Sequence, residues 1–136
     1  MGNDPSGNDE TQNLDLIVKA LEYTVDPVAL LHEGKRIIFC NRAWKTYHGI
    51  DPDADITGLD FNGLITDEGK RLIVECREVL DRGEIYEKEF FASWCDRWVK
   101  MIVRRLEVFG SPVTLVVIRD ITDTVKASEK RIRDRF

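Results

Sequence analysis

Residues 84–121 contain three runs rich in β-formers, EIYEKEFFAS, RWVKMIVRRLEV and PVTLVVIRDI, parted only by short turn segments around Cys95-Asp96 and Phe109-Gly110-Ser111-Pro112. A parallel pair needs a crossover of a dozen or more residues, so connections this short force neighbouring antiparallel strands. Within the middle run Trp98, Lys100, Ile102 and Arg104 alternate with Val99, Met101 and Val103. One face of the sheet is therefore buried and the other is at least partly polar.

What precedes these strands must cover that buried face. Leu14, Ile17, Val18, Leu21 and Val25 recur at helical spacing, with Asn13 placed to cap and Asp26-Pro27 to stop the helix. PVALLH and RIIFC flank Glu33-Gly34-Lys35, which reads as a β-hairpin with Gly at the turn. Ala43, Trp44 and Tyr47 predict a short helix capped by Asn41 and ended at Gly49, and PDADI a second one opened by Pro52 and left at Gly58. In residues 67–82, Leu72, Ile73, Cys76, Val79 and Leu80 form one apolar stripe among charges, and Gly83 closes that helix. A final helix runs from about Thr122. Helices inserted between hairpins predict an α+β domain.

At 136 residues, 43 % apolar and 33 % charged, the chain suits one domain with its own core. Residues 1–13 are polar and acidic, a mobile leader rather than a signal peptide, and no window is apolar for long enough to span a membrane. The expected location is cytoplasmic, with no membrane partner. Net charge is −5, so the basic footprint that neutralises nucleic-acid phosphates is missing. Three widely spaced cysteines, Cys40, Cys76 and Cys95, resemble neither a disulfide framework nor, with only His32 and His48 beside them, a zinc site. Asp51, Asp53 and Asp55 alternate as in a calcium loop, but Ile56 and Asn62 stand where that loop needs Gly and Glu. No metal is expected.

No residue combination demands catalysis. His32 sits at a strand end beside a turn; His48 sits at a helix C-terminus, where the dipole favours an imidazolium. Phosphate-binding glycine loops are absent from the sequence. Cys76 lies within the long helix's apolar stripe and should face the sheet, as a small buried hydrophobe or as a pocket thiol. Trp44, Trp94 and Trp98 are core fillers or stacking surfaces for a planar ligand.

Several short motifs then fall in a telling order: Asp26-Pro27-Val28, Ile38-Phe39-Cys40-Asn41-Arg42-Ala43, Thr57-Gly58-Leu59-Asp60, and Arg119-Asp120-Ile121-Thr122-Asp123. They resemble, in turn, the strand opening, the "N.A" element, the "GK" turn and the "DIT" ending of a PAS domain, the sensory module of histidine kinases, cyclases and transcription regulators. The resemblance covers about residues 14–125. It implies a five-stranded antiparallel sheet in spatial order 2-1-5-4-3, helices on one face enclosing a small cavity, an N-terminal flanking helix, and a C-terminal signalling helix. The sensory domain with its first helix would occupy 14–122 and the start of a coiled-coil or linker helix 123–136.

The resemblance also implies a non-enzymatic role: a small-molecule ligand in the cavity, a homodimer through the flanking helices, and an output domain of the same chain, a histidine kinase or cyclase. Candidate pocket residues are Trp44, Tyr47, Leu72, Cys76, Trp98 and Met101. Haem-binding members carry a His on the long helix, which residues 67–82 lack; flavin photoreceptors carry an Asn-Cys-Arg-Phe-Leu-Gln block, which Cys40-Asn41-Arg42 does not reproduce. The cofactor is therefore none or unknown, with a non-covalent flavin stacked on Trp44 and Trp98 as the redox-sensing alternative. Asp120, Thr122 and Asp123 are the expected signal-transmission residues: an Asp or Thr oxygen can accept a bond from a free helix N–H, and Asp123 suits the first turn. Ile121, Val125, Ser128, Ile132 and Arg135 alternate at spacings of four and three, the period of a coiled-coil seam.

Overall fold

The computed structural model describes residues 16–108 and 110–134; Asn13, Leu14, Phe109 and Arg135, singled out above, lie outside them. The first helix, α1, covers residues 16–22. Strands β1 (Val28–His32) and β2 (Arg36–Cys40) then pair across the turn, where both Glu33 and Gly34 take positive φ (53° and 69°). Two successive left-handed residues match the twist of a tight hairpin. Helix α2 (Arg42–Tyr47), a 3-10 turn at Phe61–Leu64 and the long helix α3 (Asp67–Asp81) follow. The chain ends in β3 (Tyr86–Ala92), β4 (Arg97–Val108), β5 (Ser111–Asp120) and helix α4 (Thr122–Asp134).

All pairings are antiparallel, and the spatial order is β2-β1-β5-β4-β3. The two hairpins thus meet at the centre, where β1 lies against β5. The segment 57–61 runs along the free edge of β2: Gly58 N–H donates to Ile37 O, Ile37 N–H to Leu59 O, and Phe61 N–H to Lys35 O, at 2.7–3.0 Å. That occupies ladder groups an open edge would expose.

The expected second short helix through PDADI is not formed. Asp51 Oδ1 accepts from Asp53 N–H, and Asp55 Oδ1 from Thr57 N–H, at 2.9 and 3.0 Å. These side chains satisfy nearby backbone donors in turn geometry and so compete with a helix. The 3-10 turn begins instead at Phe61, capped by Asp60, whose Oδ1 accepts from Asn62 N–H.

The core lies between the sheet and α2 and α3. Leu72, Cys76 and Leu80 are the buried face of α3, and Thr66 caps its start by accepting from Gly69 N–H at 3.1 Å. From the sheet come Ala29, Leu31, Val99, Val103, Val116 and Ile118, all buried. Asn41 is completely buried and joins three elements. Its Oδ1 accepts from Val28 N–H and Trp44 N–H, both at 2.9 Å, and its Nδ2 donates toward Leu21 O, Asp26 O and Thr24 Oγ1 at 2.9–3.0 Å. Burial of an amide this polar is tolerable because it is fully partnered.

Candidate functional site

A cavity of about 490 Å³ separates the sheet from its covering helices, within the size range of small-molecule sites. Leu31, Met101, Val103, Thr114, Val116 and Ile118 form its floor; Trp44, Tyr47 and His48 close one side and Leu72, Ile73, Cys76 and Leu80 another. Phe61, Leu64 and Ile65 complete the wall, and Trp94 lines it from the β3–β4 turn. Polar groups are few: Glu33, Arg77 and Arg105 are the charged side chains on the lining.

The structure brings Trp44, Tyr47, Leu72, Cys76 and Met101 together on this lining. Trp98 is a correction. It sits one position from Val99, so the strand's alternation turns it to the opposite face, where its ring meets Phe91 edge-on with centroids 5.5 Å apart. The tryptophan that joins Trp44 at the cavity is Trp94, carried back over the sheet by a turn in which Asp96 takes φ 57°. Its Nε1–H is shielded from solvent and has no hydrogen-bond acceptor. Arg105 was also within reach of the sequence, since it continues the inward series Val99, Met101, Val103. Phe61, Leu64 and Ile65 were not, because they belong to the 3-10 turn.

His48 is a second correction. The helix dipole argued for an imidazolium, but the ring is mostly buried, stacked on Trp44 at 4.4 Å, with Nδ1 2.9 Å from Trp44 O. Burial lowers its pKa, and the bond to the Trp44 carbonyl offsets this only in part. The neutral ring, with Nδ1–H donating, fits the site. Burial also pushes the Cys76 thiol up to about 11, against an opposing effect of Arg105, and Cys40 up to about 12. Cys95 is half-buried and donates to Tyr47 Oη at 3.2 Å. Burial, then the contact with Cys95, raises the Tyr47 pKa. Cys40, Cys76 and Tyr47 thus hold their protons at neutral pH. None is an activated nucleophile.

Where β5 gives way to α4 a compact knot forms. Asp120 Oδ1 accepts from Thr122 N–H at 2.9 Å, and Arg97 pairs with Asp120 at 2.7 Å. Partial burial raises the Asp120 pKa, but the bonds from Thr122 and the Arg97 pair outweigh it and hold the carboxyl below its usual range. Thr122 itself departs from expectation: its Oγ1 accepts from Trp98 N–H at 3.0 Å and donates to Trp98 O at 3.4 Å. It is thus spent on β4, while Ile121 N–H also donates to Trp98 O at 2.8 Å. Asp123 is exposed in the first turn of α4.

Among the described residues, no three His, Cys, Asp or Glu side chains are grouped to hold a metal ion, and no helix is long and apolar enough to cross a membrane. A family model described as "PAS domain" matches residues 16–85, just over half of the chain. The chain belongs to the PAS domain family. Solved PAS domains share its architecture. That of a Colwellia psychrerythraea protein superposes with a TM-score of 0.62 at 18 % identity, covering 82 % of this chain and 98 % of that one. The PAS domain of nitrogen regulation protein NR(II) from Vibrio parahaemolyticus gives 0.57 at 18 %, covering 78 % and 98 %. A PAS domain from a two-component sensor histidine kinase gives 0.54 at 10 %, covering 81 % and 97 %. Comparison with curated protein sequences finds no match. At such identities the likeness is one of fold, so the chemistry of this PAS domain has to be argued from its own cavity and junction.

Proposed function

We propose that this PAS domain is a non-enzymatic sensor and dimerisation module in which a small molecule bound in the cavity sets how α4 leaves the sheet. The observation that carries this reading is the sharing of strands: Met101, Val103, Val116 and Ile118 of β4 and β5 floor the cavity, and the same two strands end at the Thr122–Trp98 and Asp120–Arg97 contacts. A ligand that binds two arrangements of these strands with different affinity shifts the junction between them. In this reading residues 14–122 form the sensory unit and 123–136 begin the linker helix. The same polypeptide then carries an output domain, a histidine kinase or cyclase, and similarity to a PAS domain from a two-component sensor histidine kinase supports that placement.

The flavin alternative draws on Trp44 and Trp98, and it loses part of that support because Trp44 lines the cavity while Trp98 lies on the other face of the sheet. An unidentified small ligand is the reading retained.

Native mass spectrometry of the purified chain tests the proposal, because it weighs bound molecule and subunit number together. A dimer retaining a small molecule is the expected result, and a monomer without one would overturn it. For the junction, Asp120→Ala combined with Thr122→Ala should leave the sheet folded while the amides of α4 exchange faster. Unchanged exchange in α4 would refute the coupling.

A further inference from the structure

We infer that the cavity takes an amphipathic anion, its apolar body lying along Leu72, Cys76, Met101 and Val116 and its acidic group reaching Arg77 and Arg105. This rests on the ligand-binding reading above and narrows it to a chemical class. The floor is elongated: Met101 pairs with Ile118, Val103 with Val116 and Arg105 with Thr114, so at about 3.4 Å per residue the four steps from Ile118 to Thr114 run about 14 Å. Trp94 and Tyr47 stand near the first end and Arg105, Arg77 and Glu33 near the second. The rest of the lining is mostly aliphatic or aromatic, with Thr46, Thr66, Thr114 and His48 among its polar members.

Two of the three charged side chains on this lining are cations. Arg77 has no ion-pair partner among the described residues, and Arg105 gives one terminal nitrogen to Asp81 at 2.8 Å, leaving the rest of its guanidinium available. Several lining acceptors are already engaged: Thr66 Oγ1 by Gly69 N–H, Trp44 O by His48 and Tyr47 Oη by Cys95. Two acids face the cationic end, Glu33 on the exposed hairpin turn and Asp81 on Arg105. Asp81 fixes the guanidinium, and Glu33 is free to turn into water. A carboxylate can accept from both arginines with charge assistance, whereas an ammonium group would meet two cations.

Titration of the full chain with decanoate, 1-decanol and decylamine by calorimetry separates the outcomes, since the three share an apolar body and differ in head group. Decanoate should bind about tenfold or more tightly than decanol, less so at high salt, and should slow labelling of Cys76 but not of Cys95. Arg77→Gln and Arg105→Gln should bring decanoate down toward decanol while leaving decanol unchanged. Arg77→Gln stands alone as the test if the loss of the Asp81 pair unfolds the other variant. Decanol or decylamine binding as tightly as decanoate would overturn the anion inference and leave the ligand site standing. Failure of all three to bind would overturn the anion inference, and the native mass of the purified chain then decides the ligand site on its own.

Discussion

His48 carries a charge-state prediction at the level of a single ring. Its folded pKa lies below its value in the unfolded chain, so the unfolded state takes up the proton first as pH falls. The stabilisation from the neutral ring is complete above about pH 6.5 and is lost as pH drops through the folded pKa. The Tm of the wild type should therefore fall more steeply between about pH 7.5 and about pH 5 than that of His48→Gln; parallel curves would refute the assignment. Thiol reactivity supplies a second check, because Cys95 is half-buried while Cys76 and Cys40 are buried with raised pKa values. A thiol reagent should modify Cys95 first and Cys40 and Cys76 only slowly, and fast modification of Cys76 would mean that α3 is turned the wrong way. The sequence already contained the argument against Trp98 as a cavity residue: it and Met101 are three positions apart in one strand, and odd separations put side chains on opposite faces. Trp94 was not legible in that way, since its position depends on the shape of a turn rather than on a period.

Among the elements, α3 and the strands of the second hairpin were legible because burial imposes a period on them. The α3 stripe predicts an inward face of Leu72, Cys76 and Leu80, and these three are the residues buried there. Leu72→Ala should cost about 2–5 kcal/mol, toward the low end because the side chain already borders open space. Urea unfolding measures this, and a loss well under 1 kcal/mol would contradict the packing. The stretch PDADI, 52–56, reads as a helix and is not one, because no period governs a stretch whose aspartates bond to nearby backbone. Phe61, Leu64 and Ile65, in and just after the 3-10 turn, line the cavity, and that part of its wall could not be traced from apolar spacing. At the β5–α4 junction the residue types were readable but their partners were not. Only the register of β4 against β5, Val99 beside Asp120, brings Trp98 within reach of Thr122.

For the molecule as a whole, exposed apolar surface gathers away from the cavity. On α1, Leu16 and Ile17 are 67 % and 54 % exposed, and the uncovered face of the sheet presents Phe91, Trp98, Ile102 and Leu115. A second copy that buries such a patch gains the usual hydrophobic stabilisation. Ile17→Glu is expected to weaken a homodimer in sedimentation experiments without lowering the subunit's stability, whereas an unchanged dimer would exclude α1 from the contact. Asn41 has a consequence in time rather than in space. One side chain holds the end of α1, the first amide of β1 and the first turn of α2, so none of the three can detach without breaking the others' bonds. Segments far apart in the chain then belong to one cooperative opening unit. The amides of Val28 and Trp44 should take up deuterium at a common rate, and Asn41→Asp, which sets a carboxylate against three oxygens, should speed both together.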